Sequence, residues 1–450
     1  MLPGDDELWY LPLGGTGEIG MNMGLYGHAG QWLMVDCGVT FRRAGEPGPH
    51  LQMADPSFIS ARRDRLAGLL ITHAHQDHIG AISYLWPQLR CPIYATRFAL
   101  ELIRPKLAEV GLLDRVPLHE VSAGQRTALA GFNVEWVNVT HSTVQCQALV
   151  LRTDAGSVLH SGDWKLDDQP VVGARYDVDA LIRAGDEGLD AMVCDSTNAN
   201  VSSNSVSEAV LEAGLLAAVQ GASGRVIVGC FGSNVARLVT LARVAQKTGR
   251  YAGVMGRSLE MYYSAAKAAG EWPSDLKLVD AQHLGYLPRA EVLAIATGSQ
   301  GEPRAALDRL AADSHPAFSI DPGDRLVMSA RVIPGNEDAV LGVVARLTEL
   351  GVEVVRDGDT DAPIHASGHA TVPDLERLYG WVRPRVVIPQ HGEPEHLKAH
   401  GALARRLGVS RQLVGRNGDL FILKPQTVLR RAAVQVGRLG IEREQVVRVE

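Results

Sequence analysis

Three histidines and one aspartate fall within six positions of the stretch Thr72-His73-Ala74-His75-Gln76-Asp77-His78-Ile79-Gly80. Imidazole nitrogens and a carboxylate are the donor set of a borderline divalent cation. Zinc fits best, and manganese or iron is an alternative. Magnesium prefers an all-oxygen shell and fits poorly. An apolar run over 66–71 reads as a buried strand before the cluster, and 81–86 reads as a helix after it. A turn between strand and helix lets side chains converge while the elements on either side hold them still.

Other chemistry-bearing residues also stand at the ends of apparent strands. The alternating run 132–139 leads to His141. A hairpin turning at Asp154-Ala155-Gly156 has a second strand over 157–160 that ends at Asp163. Strand ends on one edge of a layered fold can meet at one site, so His141 and Asp163 are candidate further ligands. His160 points to the opposite face by the period of a strand. The strand 32–35 ends at Asp36, placed to orient a ligand from behind. The strand 189–194 ends at Asp195-Ser196-Thr197-Asn198, and the strand 385–389 ends at Gln390-His391-Gly392-Glu393. Gly15-Thr16-Gly17-Glu18-Ile19-Gly20 matches a dinucleotide-binding pattern. That reading fails, because the glycines lead into a strand and a hairpin at His28-Ala29-Gly30 rather than into a helix.

The elements that must position these groups divide the chain. From about 205 the pattern changes to strict alternation of strands and helices. Strands read over 225–231, 251–255, 291–297 and 325–330, and helices over 234–247, 258–269, 304–312 and 337–350. Ser205 and Glu208 read as a capping box opening a helix to 219. Such alternation argues for a parallel sheet covered by helices, inserted over 206–358. Within it, Ser233-Asn234 and 296–303 lie where strand yields to helix, a common setting for phosphate. Helices over 372–381 and 394–407 and a final hairpin complete the chain.

A length of 450 residues suggests two or three domains, and 46% hydrophobic with 21% charged content is that of a globular chain. The net charge of −7 does not announce a nucleic-acid binder, although cations in a cleft would attract phosphate locally. No apolar run reaches the roughly 18 residues that span a bilayer, so no membrane is expected. The acidic N-terminus is no signal peptide. The five cysteines are scattered, which points to a reducing compartment, the cytoplasm.

As a set, these motifs resemble the β-CASP group of the metallo-β-lactamase fold, and within it bacterial ribonuclease J. The resemblance rests on 13–20, His73-x-His75-x-Asp77-His78, His141, Asp163, Asp195-Ser196-Thr197-Asn198, 297–303, 333–337, His365-Ala366-Ser367-Gly368-His369 and His391-Gly392-Glu393. It implies an α/β fold, a metallo-β-lactamase αββα sandwich with an inserted β-CASP domain. The sandwich would take 1–205 and 359–425, the insert 206–358, with 426–450 a tail or linker remnant. Ribonuclease J usually continues into a further C-terminal domain where this chain stops. The family also usually has Phe where this chain has Trp164.

The resemblance gives one divalent ion to His73, His75 and His141 and a second to Asp77, His78 and His391, with Asp163 bridging. The expected activity is hydrolysis of single-stranded RNA by a two-metal-activated hydroxide, exonucleolytic from the 5′ end, endonucleolytic or both. Asp77 and Asp195 would assist catalysis, with His369 the general acid held by Asp195. His365, Ala366, Ser367, Gly368 and His369 would bind substrate, with Ser233 and Asn234 at the next phosphate. Ser299, Gln300 and Arg331 are candidates for a 5′-phosphate pocket, and Asp36 supports the metal histidines. His391, where DNA-processing relatives tend to have Val, favours RNA. A homodimer or higher homo-oligomer is expected. The rival readings are a thioester or lactam hydrolase of the same fold, and a non-catalytic partner subunit. The first has no need of the insert, and the second would have lost ligands that are all present here.

Overall fold

The computed structural model describes residues 1–42, 48–333, 335–443 and 445–449. Pro334, in the motif stretch 333–337, lies outside the described residues. Two sheets stack face to face. Among the described residues, one has eight strands in the order Val428–Arg430, Leu420–Lys424, Leu8–Gly14, Met23–His28, Gln31–Val35, Leu66–Leu70, Ile93–Thr96 and Leu118–Val121. The other has seven, in the order Arg411–Gln412, Val386–Gln390, Ala191–Asp195, Ser157–His160, Gln147–Arg152, Phe132–Asn138 and Arg126–Leu129.

Alternation along each strand sends one set of side chains inward. Tyr10, Tyr26, Leu33 and Leu70 of the first sheet meet Trp136, Leu149, Val193 and Ile388 of the second. The opposite faces are covered by helices. Ile82–Leu89 and Arg97–Glu109 belong to one apolar layer, Val178–Glu187 and Val372–Val382 to the other. The result is the αββα sandwich.

Strand direction then decides where the chemistry collects. Ser157–His160, Ala191–Asp195 and Val386–Gln390 are adjacent and parallel, so their carboxyl ends share one edge. Two antiparallel steps bring Phe132–Asn138 back to the same direction. In the facing sheet Gln31–Val35, Leu66–Leu70 and Ile93–Thr96 are likewise parallel. Asp36, the 72–78 turn, His141, Asp163, Asp195 and His391 follow these ends.

Inside 206–358 lies a separate five-stranded sheet in the order Tyr251–Met255, Val292–Ala296, Val226–Gly229, Arg325–Met328 and Glu353–Val355. Every pairing in it is parallel. Its central strands are buried throughout, as short unbroken apolar runs require when helices cover both faces.

Three local expectations are corrected. The Ser205–Glu208 capping box does not form. Ser207 instead caps a short 3-10 turn, Glu208–Val210, ahead of the helix Leu211–Val219. Glu208 is taken by buried Arg237, with Nε 2.5 Å from Oε1, because a buried guanidinium needs its counter-ion. The helix expected over 304–312 is Ala306–Ala311, since Arg304 has a positive φ of 64°. Residues 426–450 were expected as a tail. Val428–Arg430 extends the first sheet, while Arg438–Glu442 pairs with Leu51–Ala54 and Gln445–Val449. There Leu439 is buried and Arg438 pairs with Glu18, contacts that draw this segment onto the sandwich.

Candidate metal centre

The turn after Leu66–Leu70 carries His73 and His75, then a single helical turn, Gln76–Ile79, with Asp77 and His78. The other sheet edge delivers His141, Asp163, Asp195 and His391 to the same place. Among the described residues three groups of potential ligand atoms result, each with its atoms within 4.8 Å of one another: His73, His75, His141 and Asp163; Asp77, His78, Asp163 and His391; and Asp163, Asp195, His369 and His391. Asp163 belongs to all three. Its Oδ2 lies 3.2 Å from His78 Nε2, 3.8 Å from His73 Nε2 and 3.9 Å from His141 Nε2.

Partners outside the cage set the ring orientations. His78 Nδ1 donates to Asp36 Oδ2 at 2.7 Å, which turns Nε2 inward. Asp36 also accepts from the Thr72 amide and hydroxyl at 2.9 and 2.8 Å, and Thr72 Oγ1 is 3.1 Å from His73 Nδ1. His141 Nδ1 donates to the Gly368 carbonyl at 2.6 Å. A Cβ on Gly368 would lie 2.7 Å from His141 Cε1, so only glycine allows this approach. His391, at φ 48°, leaves its strand in a left-handed turn that aims Nε2 at Asp77 Oδ2, 3.2 Å away.

The electrostatics divide the cage into two halves. Burial, reinforced by neighbouring imidazoles, holds His73 and His141 well below the ordinary range, and burial brings His75 down to about 4. These rings stay neutral, with nitrogen lone pairs free to bind a cation. On the other side burial also opposes charge, but carboxylates outweigh it. Asp163, Asp77 and Asp36 raise His78, and Asp163 with Asp195 and Asp77 raises His391 to about 10. Asp163 is held well below the carboxylate range despite burial, by His391 and His78. His73 Nε2 and His75 Nε2 are buried without a hydrogen-bond partner among the described residues. Inward lone pairs left unpaired beside a shared carboxylate fit divalent cations.

His369 lies next to the cage. Its Nδ1 is 2.7 Å from Asp195 Oδ2, which raises the imidazole pKa against its burial. Ser367 Oγ accepts from Asn198 Nδ2 at 2.9 Å, and Ala366 is buried. His365 is pushed down to about 4 by burial and by Arg237, and its Nδ1 is buried without a partner. Asn234 also has a structural task. Its Oδ1 caps the helix Val235–Lys247 by accepting from the Arg237 amide at 2.9 Å. Gln300 is likewise committed, bonding the Arg331 carbonyl at 2.9 Å and the Ile333 amide at 2.8 Å, and Ser299 is buried.

Two positioning groups escaped sequence reasoning. Thr197 Oγ1 bridges Asp195 Oδ1 at 2.8 Å and His391 Nδ1 at 2.9 Å. Asn22 Nδ2 lies 3.0 Å from His78 Nε2 and 3.1 Å from the Asp77 carbonyl. Thr197 lay within a flagged motif, whereas Asn22 sits in the strand approach that follows the glycine loop and carried no signal.

Family models match along much of the chain. The Beta-lactamase superfamily domain covers residues 31–211, the Ribonuclease J beta-CASP domain 223–347 and the Zn-dependent metallo-hydrolase RNA specificity domain 362–412. Together with the site they define a metallo-hydrolase of the metallo-β-lactamase fold with an inserted β-CASP domain. Ribonuclease J of Sinorhizobium meliloti is 40% identical over 425 residues, covering 94% of this chain and 75% of the relative. Ribonuclease J of Mycolicibacterium smegmatis is 39% identical over 435 residues, covering 96% and 77%. The chain belongs to the ribonuclease J family. Among solved structures, a protein of unknown function from Enterococcus faecalis shares the fold, with a TM-score of 0.65 at 14% identity over 92% of this chain and 100% of that one. Among the described residues no helix is long and apolar enough to cross a membrane.

Proposed function

We propose that the chain is a metal-dependent ribonuclease acting on single-stranded RNA, by 5′-to-3′ exonucleolytic cleavage, endonucleolytic cleavage or both. His73, His75 and His141 would hold one divalent cation and Asp77, His78 and His391 a second, zinc before manganese, with Asp163 between them. The shared place of Asp163 in every ligand cluster carries this reading. When bound, the cations supply a water of near-neutral pKa and offset charge building on the phosphate.

The chain's own groups do the rest. His365, Ser367 and the backbone around Ala366 and Gly368 hold the phosphate beside the reacting bond, and Ser233 and Asn234 hold the next one. As the water oxygen bonds to phosphorus, the bond to the 3′-oxygen breaks and that oxygen needs a proton. His369 supplies it from Nε2, because Nδ1 is held by Asp195 and that carboxylate favours the protonated ring. The downstream product keeps a 5′-phosphate. A single strand can enter a recessed site that a duplex cannot.

The test is incubation of the purified chain with end-labelled, 5′-monophosphorylated single-stranded RNA and Mn²⁺ or Zn²⁺, beside a His75→Ala control. Cleavage to 5′-phosphorylated products by the wild type alone is expected. No cleavage, or equal cleavage by the variant, would defeat the reading.

A further inference from the structure

Most of the histidines in the cage lean on something outside it. His78 has Asp36, His141 the Gly368 carbonyl, His391 Thr197 and His73 the Thr72 hydroxyl. His75 differs. Its Nδ1 faces His141 Nε2 at 3.1 Å, inside the cage, and its Nε2 has no hydrogen-bond partner among the described residues. Its orientation therefore depends on the backbone that carries it.

That backbone is held from the inserted domain. Tyr262, on the helix Arg257–Ala269, donates its hydroxyl to the carbonyl of Ala74 at 2.7 Å. Ala74 joins His73 to His75, and both it and Tyr262 are buried. The Tyr262 ring packs on Phe98 of the helix Arg97–Glu109, centroids 6.1 Å apart, so the donor is fixed in place. The same helix ends at Gly270, and Glu271 just beyond it accepts from Gln145 Nε2 at 2.8 Å. Gln145 lies in the loop after His141, at φ 56°, and its Oε1 accepts from the Phe98 amide at 2.9 Å. One element of the insert thus grips both loops that supply His73, His75 and His141.

We propose that Tyr262 is a positioning residue through which the inserted domain sets the His73–His75–His141 side of the metal centre. The insert then helps to build the site, in addition to any contact it makes with RNA. This rests on the reading that these histidines hold a divalent cation.

The test uses the full chain and Tyr262→Phe, which keeps the ring and removes only the donor. Zinc affinity is measured by competition with a chromophoric chelator, and RNA cleavage at limiting and excess zinc. The variant should bind zinc roughly tenfold more weakly, as losses behind a ligand typically do. Its kcat should fall at limiting zinc and recover in excess, with KM for RNA unchanged and the metal-free Tm that of the wild type. Gln145→Ala, which frees the His141 loop, should weaken zinc binding in the same direction. Wild-type affinity in Tyr262→Phe would overturn the inference and leave the metal reading standing. So would a metal-free Tm that falls in step with affinity, since general loosening would then explain both. A wild-type chain that binds no zinc or manganese would overturn both readings.

Discussion

At the residue scale, chemistry here depends on what stands behind each reacting group. Asp195 faces His369 at 2.7 Å, and its other oxygen lies 3.5 Å from His391 Nδ1 with Thr197 Oγ1 bridging the two. Asp195→Asn should therefore discharge His369 without emptying the cage. We expect kcat to fall by about 10²- to 10⁴-fold, the usual worth of a general acid, with zinc content retained. Parallel loss of zinc would instead make Asp195 a ligand. Gly368 is a second such position. Gly368→Ala puts a methyl against the His141 ring and disturbs the carbonyl that fixes it. Zinc affinity measured by chelator competition should drop roughly 10- to 100-fold, while the circular dichroism spectrum stays that of the wild type.

At the scale of elements, three neighbouring parallel strands turn distant sequence positions into one edge. The buried pair Arg237–Glu208 lies within the insert, and Ser329 links it to the returning segment. Arg237 Nη1 also donates to the Ser329 carbonyl at 2.7 Å, and Ser329 Oγ donates to the Ile364 carbonyl at 2.7 Å, just before His365. Glu208→Gln leaves a buried guanidinium without its charge partner. It should lower unfolding free energy in urea by about 3–5 kcal/mol. This pair also explains where the sequence misleads. Ser205 and Glu208 have the spacing of a cap, but a partner distant in sequence outcompetes the local one. Asn234 shows the reverse, since its Oδ1 makes a local cap to the amide three residues on. The histidines and aspartates that converge in the cage were legible because residue type and strand ends are local signals. Asn22 and Tyr262 were not, because their roles depend on which backbone the fold brings alongside.

At the scale of the molecule, the sandwich, the insert and the returning segment close around one set of carboxylates and imidazoles, and the support beneath it is pH-sensitive. His160 bonds Tyr26 and Gln390 between the sheets, and His400 bonds Ser196 and Tyr379. Burial lowers both to about 4. The unfolded chain binds protons at these positions near pH 6.5 while the folded chain does not. Stability should thus be full above that pH and fall as pH drops from 6.5 toward 4, by about 1.4 kcal/mol per unit for each group. In urea unfolding of the metal-free protein, His400→Gln should remove one such share of the slope; an unchanged slope would place His400 outside this effect. The central claim is that two cations flank Asp163. Anomalous diffraction at the zinc edge from zinc-loaded crystals tests it most directly. Two peaks about 3.5–4 Å apart are expected, with the Asp163 carboxylate between them. A single peak, or peaks remote from Asp163, would contradict it.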